Sequence, residues 1–143
     1  MSHPRLYFDL NRAQQNLRKL VDRIAVADIG VSSVQLAVLF LVREKDRTPL
    51  EIATALNLDQ SAVTGLMRRM LRSELIEQHP NPDDGRSRLV TLSDRGRSVT
   101  AHTADLLPSF NEALAGGFSK GEIEVIDRFL NRVAELTEED LRS

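Results

Sequence analysis

From Thr48 to Ser93 the apolar pattern changes period, from the three-and-four spacing of two short helices to the alternation of two short strands. Few folds accommodate that order. Thr48-Pro49-Leu50-Glu51 reads as a capping box with proline at the first helical position, where its missing N–H costs nothing, and predicts a helix running to about Leu56. Asn57-Leu58-Asp59 makes a three-residue turn, and Asp59 is placed to cap a second helix over 60–73 with Val63, Leu66, Met67, Met70 and Leu71 at helical spacing. IEQHPN and RLVTLS follow as strands, separated by the turn formers Pro82-Asp83-Asp84-Gly85-Arg86-Ser87. Two short helices across a tight turn, followed at once by a hairpin with a protruding tip, make a winged helix-turn-helix.

The flanking segments are helical. Leu6, Leu10, Ala13, Leu17, Leu20 and Ile24 alternate steps of four and three, which predicts one long helix from Pro4 to about Ile29, ended by Gly30, with a narrow apolar seam that needs a partner. Ser32-Ser33-Val34-Gln35 is a capping box ahead of the apolar run Leu36 to Val42 and predicts a central core helix. Ser93-Asp94 opens a helix with Val99, Leu106, Phe110 and Leu114 on one side, a kink at Pro108 and a stop at Gly116-Gly117. Ser119-Lys120-Gly121-Glu122 caps a last helix with two apolar faces, one of Ile123, Ile126, Leu130 and Val133, the other of Val125, Phe129 and Leu136. With aromatics at only 4% and no Trp, the 143 residues suit a mostly α fold with a small β-hairpin wing. The chain is read as a single domain over 1–143, with a winged helix-turn-helix lobe over 32–95 and dimerisation helices over 1–30 and 96–143.

On the second helix, the positions facing away from Val63, Leu66, Met67 and Met70 are Gln60, Ser61, Ala62, Thr64, Gly65 and Arg68. These suit a DNA major groove. Gln60 and Arg68 can bond adenine and guanine edges in pairs, Ser61 and Thr64 can reach bases or phosphates, and Ala62 can touch a thymine methyl. Gly65 costs about 1 kcal/mol relative to Ala in mid-helix, so it stands there for a close backbone approach or by tolerance. Residues 68 to 97 balance at +2 and residues 104 to 143 at −5, so the basic side chains fall on the helix and wing. Arg69, Arg86, Ser87 and Arg88 are assigned to the wing and DNA backbone contacts. Arg86, at a Gly-containing tip, is set for a minor groove, with Asp84 orienting it.

The segment Asp84-Gly85-Arg86-Ser87-Arg88-Leu89-Val90-Thr91-Leu92-Ser93 resembles the wing motif of the MarR family of bacterial regulators. Thr48-Pro49-Leu50-Glu51-Ile52-Ala53 and Val63-Thr64-Gly65-Leu66-Met67-Arg68-Arg69-Met70 resemble its helix-turn-helix, and the resemblance covers nearly the whole chain. Two positions depart from it: Glu74, where the family usually has Gly before the wing, and Gly65, where a larger polar residue is common. The resemblance implies a homodimer held by N- and C-terminal helices that binds a palindromic operator on double-stranded DNA, and a repressor released by a small-molecule effector.

Other readings find less support in the residues. His3, His79 and His102 are far apart and without metal-ligand spacing. In Gly116-Gly117-Phe118-Ser119-Lys120-Gly121-Glu122 an acid stands where a phosphate loop needs Lys. No enzyme, cofactor or metal is therefore expected. A winged module used only for protein contacts would not need arginines gathered on helix and wing. No cysteine is present for a disulfide or thiol sensor. The longest apolar run, seven residues, is far below the roughly 20 of a membrane span, and a cytoplasmic location without membrane contact is expected. An effector pocket is expected where the dimerisation helices meet the lobe, near Phe40 or His102.

Overall fold

The structure, a computed structural model, describes residues 5–143. The expected helix start at Pro4 and His3 lie outside the described residues. In chain order the elements are α1 (Leu6–Ile24), a π-helical turn (Ala25–Ile29), α2 (Ser33–Glu44), α3 (Pro49–Leu56), α4 (Gln60–Arg72), β1 (Ile76–Pro80), β2 (Arg88–Leu92), α5 (Asp94–Ala115), α6 (Lys120–Glu135) and α7 (Glu138–Arg142). They group into two compact units, Met1–Thr103 and Ala104–Ser143.

In the first unit the side chains of α2, α3, α4 and the hairpin enclose the core. Val38, Leu39, Ile52, Met70 and Val90 are fully buried, each worth about 1.5 to 3 kcal/mol on leaving water. The helix starts are built as the sequence implies, with two differences. Ser32 and Gln35 form a complete capping box on α2. At α3 the Thr48 hydroxyl accepts the Glu51 N–H, but the Glu51 carboxylate accepts a hydrogen bond from the Thr48 hydroxyl (3.2 Å) rather than from the Thr48 N–H, so only half the box forms. Asp59 occupies the cap position of α4 without a side-chain bond to the helix.

The long first helix also ends differently. Beyond Ile24 the coil widens, and the N–H groups of Gly30 (2.9 Å) and Val31 (3.4 Å) both donate to the Ala25 carbonyl. This turn buries Ala25 and Val31, with Gly30 left-handed at φ 83°. The Asp22 carboxylate then accepts the Ser33 N–H at 2.8 Å, tying α1 to the start of α2.

Strands β1 and β2 pair antiparallel from Ile76 with Leu92 to Pro80 with Arg88. A third backbone segment joins them: Arg47 exchanges two hydrogen bonds with Val90, at 2.7 and 3.3 Å. One residue has no period, so the sequence pattern does not announce it. The hairpin is closed onto α5 by Ser93, whose buried hydroxyl donates to the Glu74 carbonyl (2.6 Å) and accepts the Gly96 N–H (3.0 Å).

The second unit has no buried residue. Helix α5, which begins within the first unit, runs through Pro108 as one element to Ala115, and α6 begins with the expected Ser119–Glu122 capping box. The half-covered residues of α6, Ile123, Phe129 and Val133, mix the two expected faces, while Val125, Ile126 and Leu130 are exposed. Helix α7 was not anticipated. Thr137 and Asp140 make its capping box, and that spacing was its only sign in the sequence.

Candidate nucleic-acid interface

The amphipathic pattern of α4 sets its orientation, since Val63, Leu66, Met67 and Met70 are buried and their burial turns the other side to solvent. Gln60, Ser61, Ala62, Thr64, Arg68, Arg69 and Arg72 are exposed, and Gly65 is half-covered. The Thr64 hydroxyl donates back to the Gln60 carbonyl at 2.9 Å, which leaves its lone pairs for an incoming donor.

The wing tip is a hydrogen-bonded turn. Asp84 accepts the Arg86 backbone N–H on its carboxylate (2.9 Å) and the Ser87 N–H on its carbonyl (3.2 Å). Asn81 donates to the Ser87 hydroxyl at 2.9 Å and accepts the Asp83 N–H at 3.0 Å. Asp84 thus holds Arg86 by its backbone, not by its guanidinium. Asn81 shares that role and was missed by sequence reasoning, although an Asn two residues ahead of a turn Asp is a usual turn signal.

A groove of about 310 Å³ runs between the start of α4 and the wing, lined by Gln60 and Thr64 on one side and Arg86, Ser87 and Arg88 on the other. Its floor includes Pro49 and Leu50 of α3, which the sequence reading left out. Residues 22 or more positions apart in the chain are thereby brought to one concavity. Ser61, Ala62, Gly65, Arg68 and Arg69 lie on the same helix outside that lining, and Asp84 sits behind the tip.

Arg12, Arg47, Arg97 and Arg142 each meet a carboxylate. Among the described residues Arg68, Arg69, Arg72, Arg86 and Arg88 meet none, although Arg88 donates to the Gln78 carbonyl across the hairpin at 3.4 Å. Unpaired arginines also occur elsewhere among the described residues, Arg18, Arg23, Arg43, Arg95 and Arg128 included, and what distinguishes this surface is their gathering on one helix and its neighbouring wing. Five cations without an internal counter-ion on one helix and its neighbouring wing present positive potential to a polyanion.

Two other concavities accompany the first unit. One, of about 530 Å³ between α1, α2 and α3, is lined mainly by Leu17, Val21, Val34, Ala37, Leu56 and Leu58. The other, of about 500 Å³, has a mixed lining that includes Val42, Arg43, Asp46, Glu77, Leu92 and Arg97. Neither includes Phe40, which packs against the core under the Arg43 guanidinium (6.0 Å from the ring centre), or His102, which is exposed on α5. His79 contacts Thr91 (3.1 Å) and Glu77 (3.5 Å). No single helix among the described residues is long and apolar enough to cross a membrane.

Comparison with known proteins gives the same architecture. A family model described as "MarR family" matches residues 29–87. The transcriptional regulator AdcR of Streptococcus pyogenes is 25% identical over 125 residues, which cover 85% of this chain and 84% of that protein. Among solved structures, a mutant of MarR from Escherichia coli complexed with operator DNA superposes with a TM-score of 0.77 at 22% identity, covering 93% of this chain and 99% of the other. BpsR from Bordetella bronchiseptica, whose DNA binding is regulated by 6-hydroxynicotinic acid, superposes with a TM-score of 0.80 at 22% identity, covering 96% and 99%.

Proposed function

Because the chain belongs to the MarR family of winged-helix regulators, we propose that it is a DNA-binding transcriptional regulator which reads a palindromic operator as a homodimer. The homologues and fold neighbours are transcriptional regulators, not enzymes. The observation that carries the reading is the set of unneutralised arginines on α4 and the wing, flanking a groove of polar side chains. In this reading Gln60, Ser61, Ala62, Thr64, Gly65 and Arg68 face the major groove, and Arg86 enters the adjacent minor groove. Ser87 and Arg88 hold the phosphates, Arg69 lies beside them on α4, and Asp84 fixes the tip.

The dimer reading is supported by apolar side chains with no cover in the chain. On α1, Leu6, Leu20 and Ile24 remain exposed, and α1 buries no residue at all. In the second unit Leu106, Leu114, Ile126 and Leu130 are likewise exposed. Two copies spaced one DNA turn apart read two half-sites, which multiplies the specificity of one.

As a finer reading, the protein is a repressor that releases its operator on binding a small molecule. The apolar groove between α1, α2 and α3, with Arg18 at its edge, has the lining for an aromatic or aliphatic acid. The named ligand of BpsR is an acid of that kind.

Selection of genomic fragments by the purified protein at about 150 mM salt, where non-specific phosphate attraction is already weakened, tests the core of this reading. Enrichment of an inverted repeat is expected. Recovery no better than from random fragments, with and without small aromatic acids, would overturn it.

A further inference from the structure

The oddest residue on α4 is Gly65, a helix-weakening residue in the middle of the element that meets DNA. At about 100° per residue, the strip opposite the buried Val63, Leu66, Met67 and Met70 runs through Ser61, Gly65, Arg68 and Arg72. Arg69 belongs to the flank of that strip. Its side chain, however, leans back toward the helix N-terminus, as side chains on helices do, and passes over Gly65. An added Cβ at Gly65 would stand 3.3 Å from the Arg69 Nη1 atom. That guanidinium has no ion pair among the described residues, so its place over Gly65 is not drawn there by a counter-ion.

We propose that Gly65 is a gap that admits Arg69 to the groove-facing strip, and that Arg69 is a base-reading residue rather than a phosphate contact. This rests on the DNA-binding reading above and gives it a specificity determinant. A larger residue at position 65 would present its own side chain to the bases and keep Arg69 at the flank. With glycine there, the planar fork of Arg69 lies on the strip and can donate two parallel N–H bonds to the O6 and N7 acceptors of a guanine. The gap and the arginine then act as one unit, four residues apart on one helix. The mid-helix cost of glycine thereby acquires a reason.

Selection from random double-stranded DNA with the wild-type protein, Arg69→Lys, Arg69→Ala and Gly65→Ala tests this, with thermal melting run on each to check folding. Lysine keeps the charge and loses the paired fork. Both Arg69 variants are expected to lose the preference for one G·C pair in each half-site while the other positions keep theirs, with affinity for the selected site down about tenfold or more. Gly65→Ala, which only crowds the guanidinium, is expected to reduce that same preference and no other. If Arg69→Lys selects the wild-type site unchanged, or if Arg69→Ala weakens all sequences alike and lowers the salt slope by about one, Arg69 is a phosphate contact and the proposal is overturned. If Gly65→Ala alters a different position, the two residues do not act together. If the wild-type protein itself selects no sequence, the DNA-binding reading fails first and takes this one with it.

Discussion

Two residues at the root of the wing carry more structural weight than their chemistry announces. Gly96 begins α5 against the hairpin, and a Cβ there would overlap the Leu75 carbonyl oxygen and press on the Leu92 side chain at 3.3 Å. Because the obstacle is backbone, it cannot swing aside. Gly96→Ala should therefore destabilise the fold by about 1 to 3 kcal/mol, read as a lower melting temperature and denaturation midpoint. Glu74 is the opposite case. It adopts a left-handed backbone at φ 58°, which strains any side-chain-bearing residue, and its hydrogen bonds are made by backbone alone, the N–H donating to the Leu71 carbonyl and the carbonyl accepting the Ser93 hydroxyl. Relief of that strain by Glu74→Gly exceeds the added freedom of the unfolded chain, so the variant should be more stable by about 0.5 to 1 kcal/mol. The family resemblance already marked position 74 as one where glycine is usual. It could not mark Gly96, because a close approach between Leu75 and α5 exists only once the hairpin has folded back.

At the scale of elements, legibility followed periodicity. Helices α2, α3, α4 and the hairpin were readable because each has an apolar pattern with capping or turn residues at its ends, and their burial bears the pattern out. The widened turn at Ala25, the single-residue bridge at Arg47 and the short α7 were not, since none is long enough to have a period. The candidate groove shows the same limit: the wing and α4 were each legible, whereas their convergence on Pro49 and Leu50 is tertiary. The wing can be tested as a unit through its tip. Because Asp84 and Asn81 hold the turn by backbone and hydroxyl groups, Arg86→Ala should leave the hairpin intact while weakening operator binding by about 1 to 3 kcal/mol in a titration at fixed salt. Unaltered affinity would remove Arg86 from the interface. The α6 start offers a pH test. The Ser119 backbone N–H, and secondly its hydroxyl, hold the Glu122 carboxyl below its ordinary 4.5. A depressed carboxylate stabilises the helix start above its unfolded pKa, and that contribution is lost as pH falls through the lowered folded value. Carboxyl titration by NMR should find Glu122 below 4.5 in the native chain and moved back toward it in Ser119→Ala.

The molecule as a whole leaves apolar side chains exposed in both of its units. The first unit has a closed core, while the second, Ala104–Ser143, has no buried residue and so no core of its own. A segment of that size has too little interior to stand alone, and its exposed Leu106, Leu114, Ile126 and Leu130 would lie in water without a partner. The same holds for the seam of α1. Leu17 is a poor probe of that seam because it also lines the groove against α2 and α3, so its loss would disturb the protomer. Leu20 is 45% exposed and lines none of the grooves described above, so in the dimer reading its free face is offered to a second copy of the chain. Leu20→Glu should therefore leave the fold of the first unit intact by circular dichroism while placing an unpaired charge in the interface, at a cost of about 3 to 5 kcal/mol per buried charge. Sedimentation should show a monomer at micromolar concentration, and operator affinity should fall with it, since one half-site no longer supports the other. A variant that sediments as a dimer with undiminished operator binding would mean that α1 does not form the interface, and the exposed seam would need another partner.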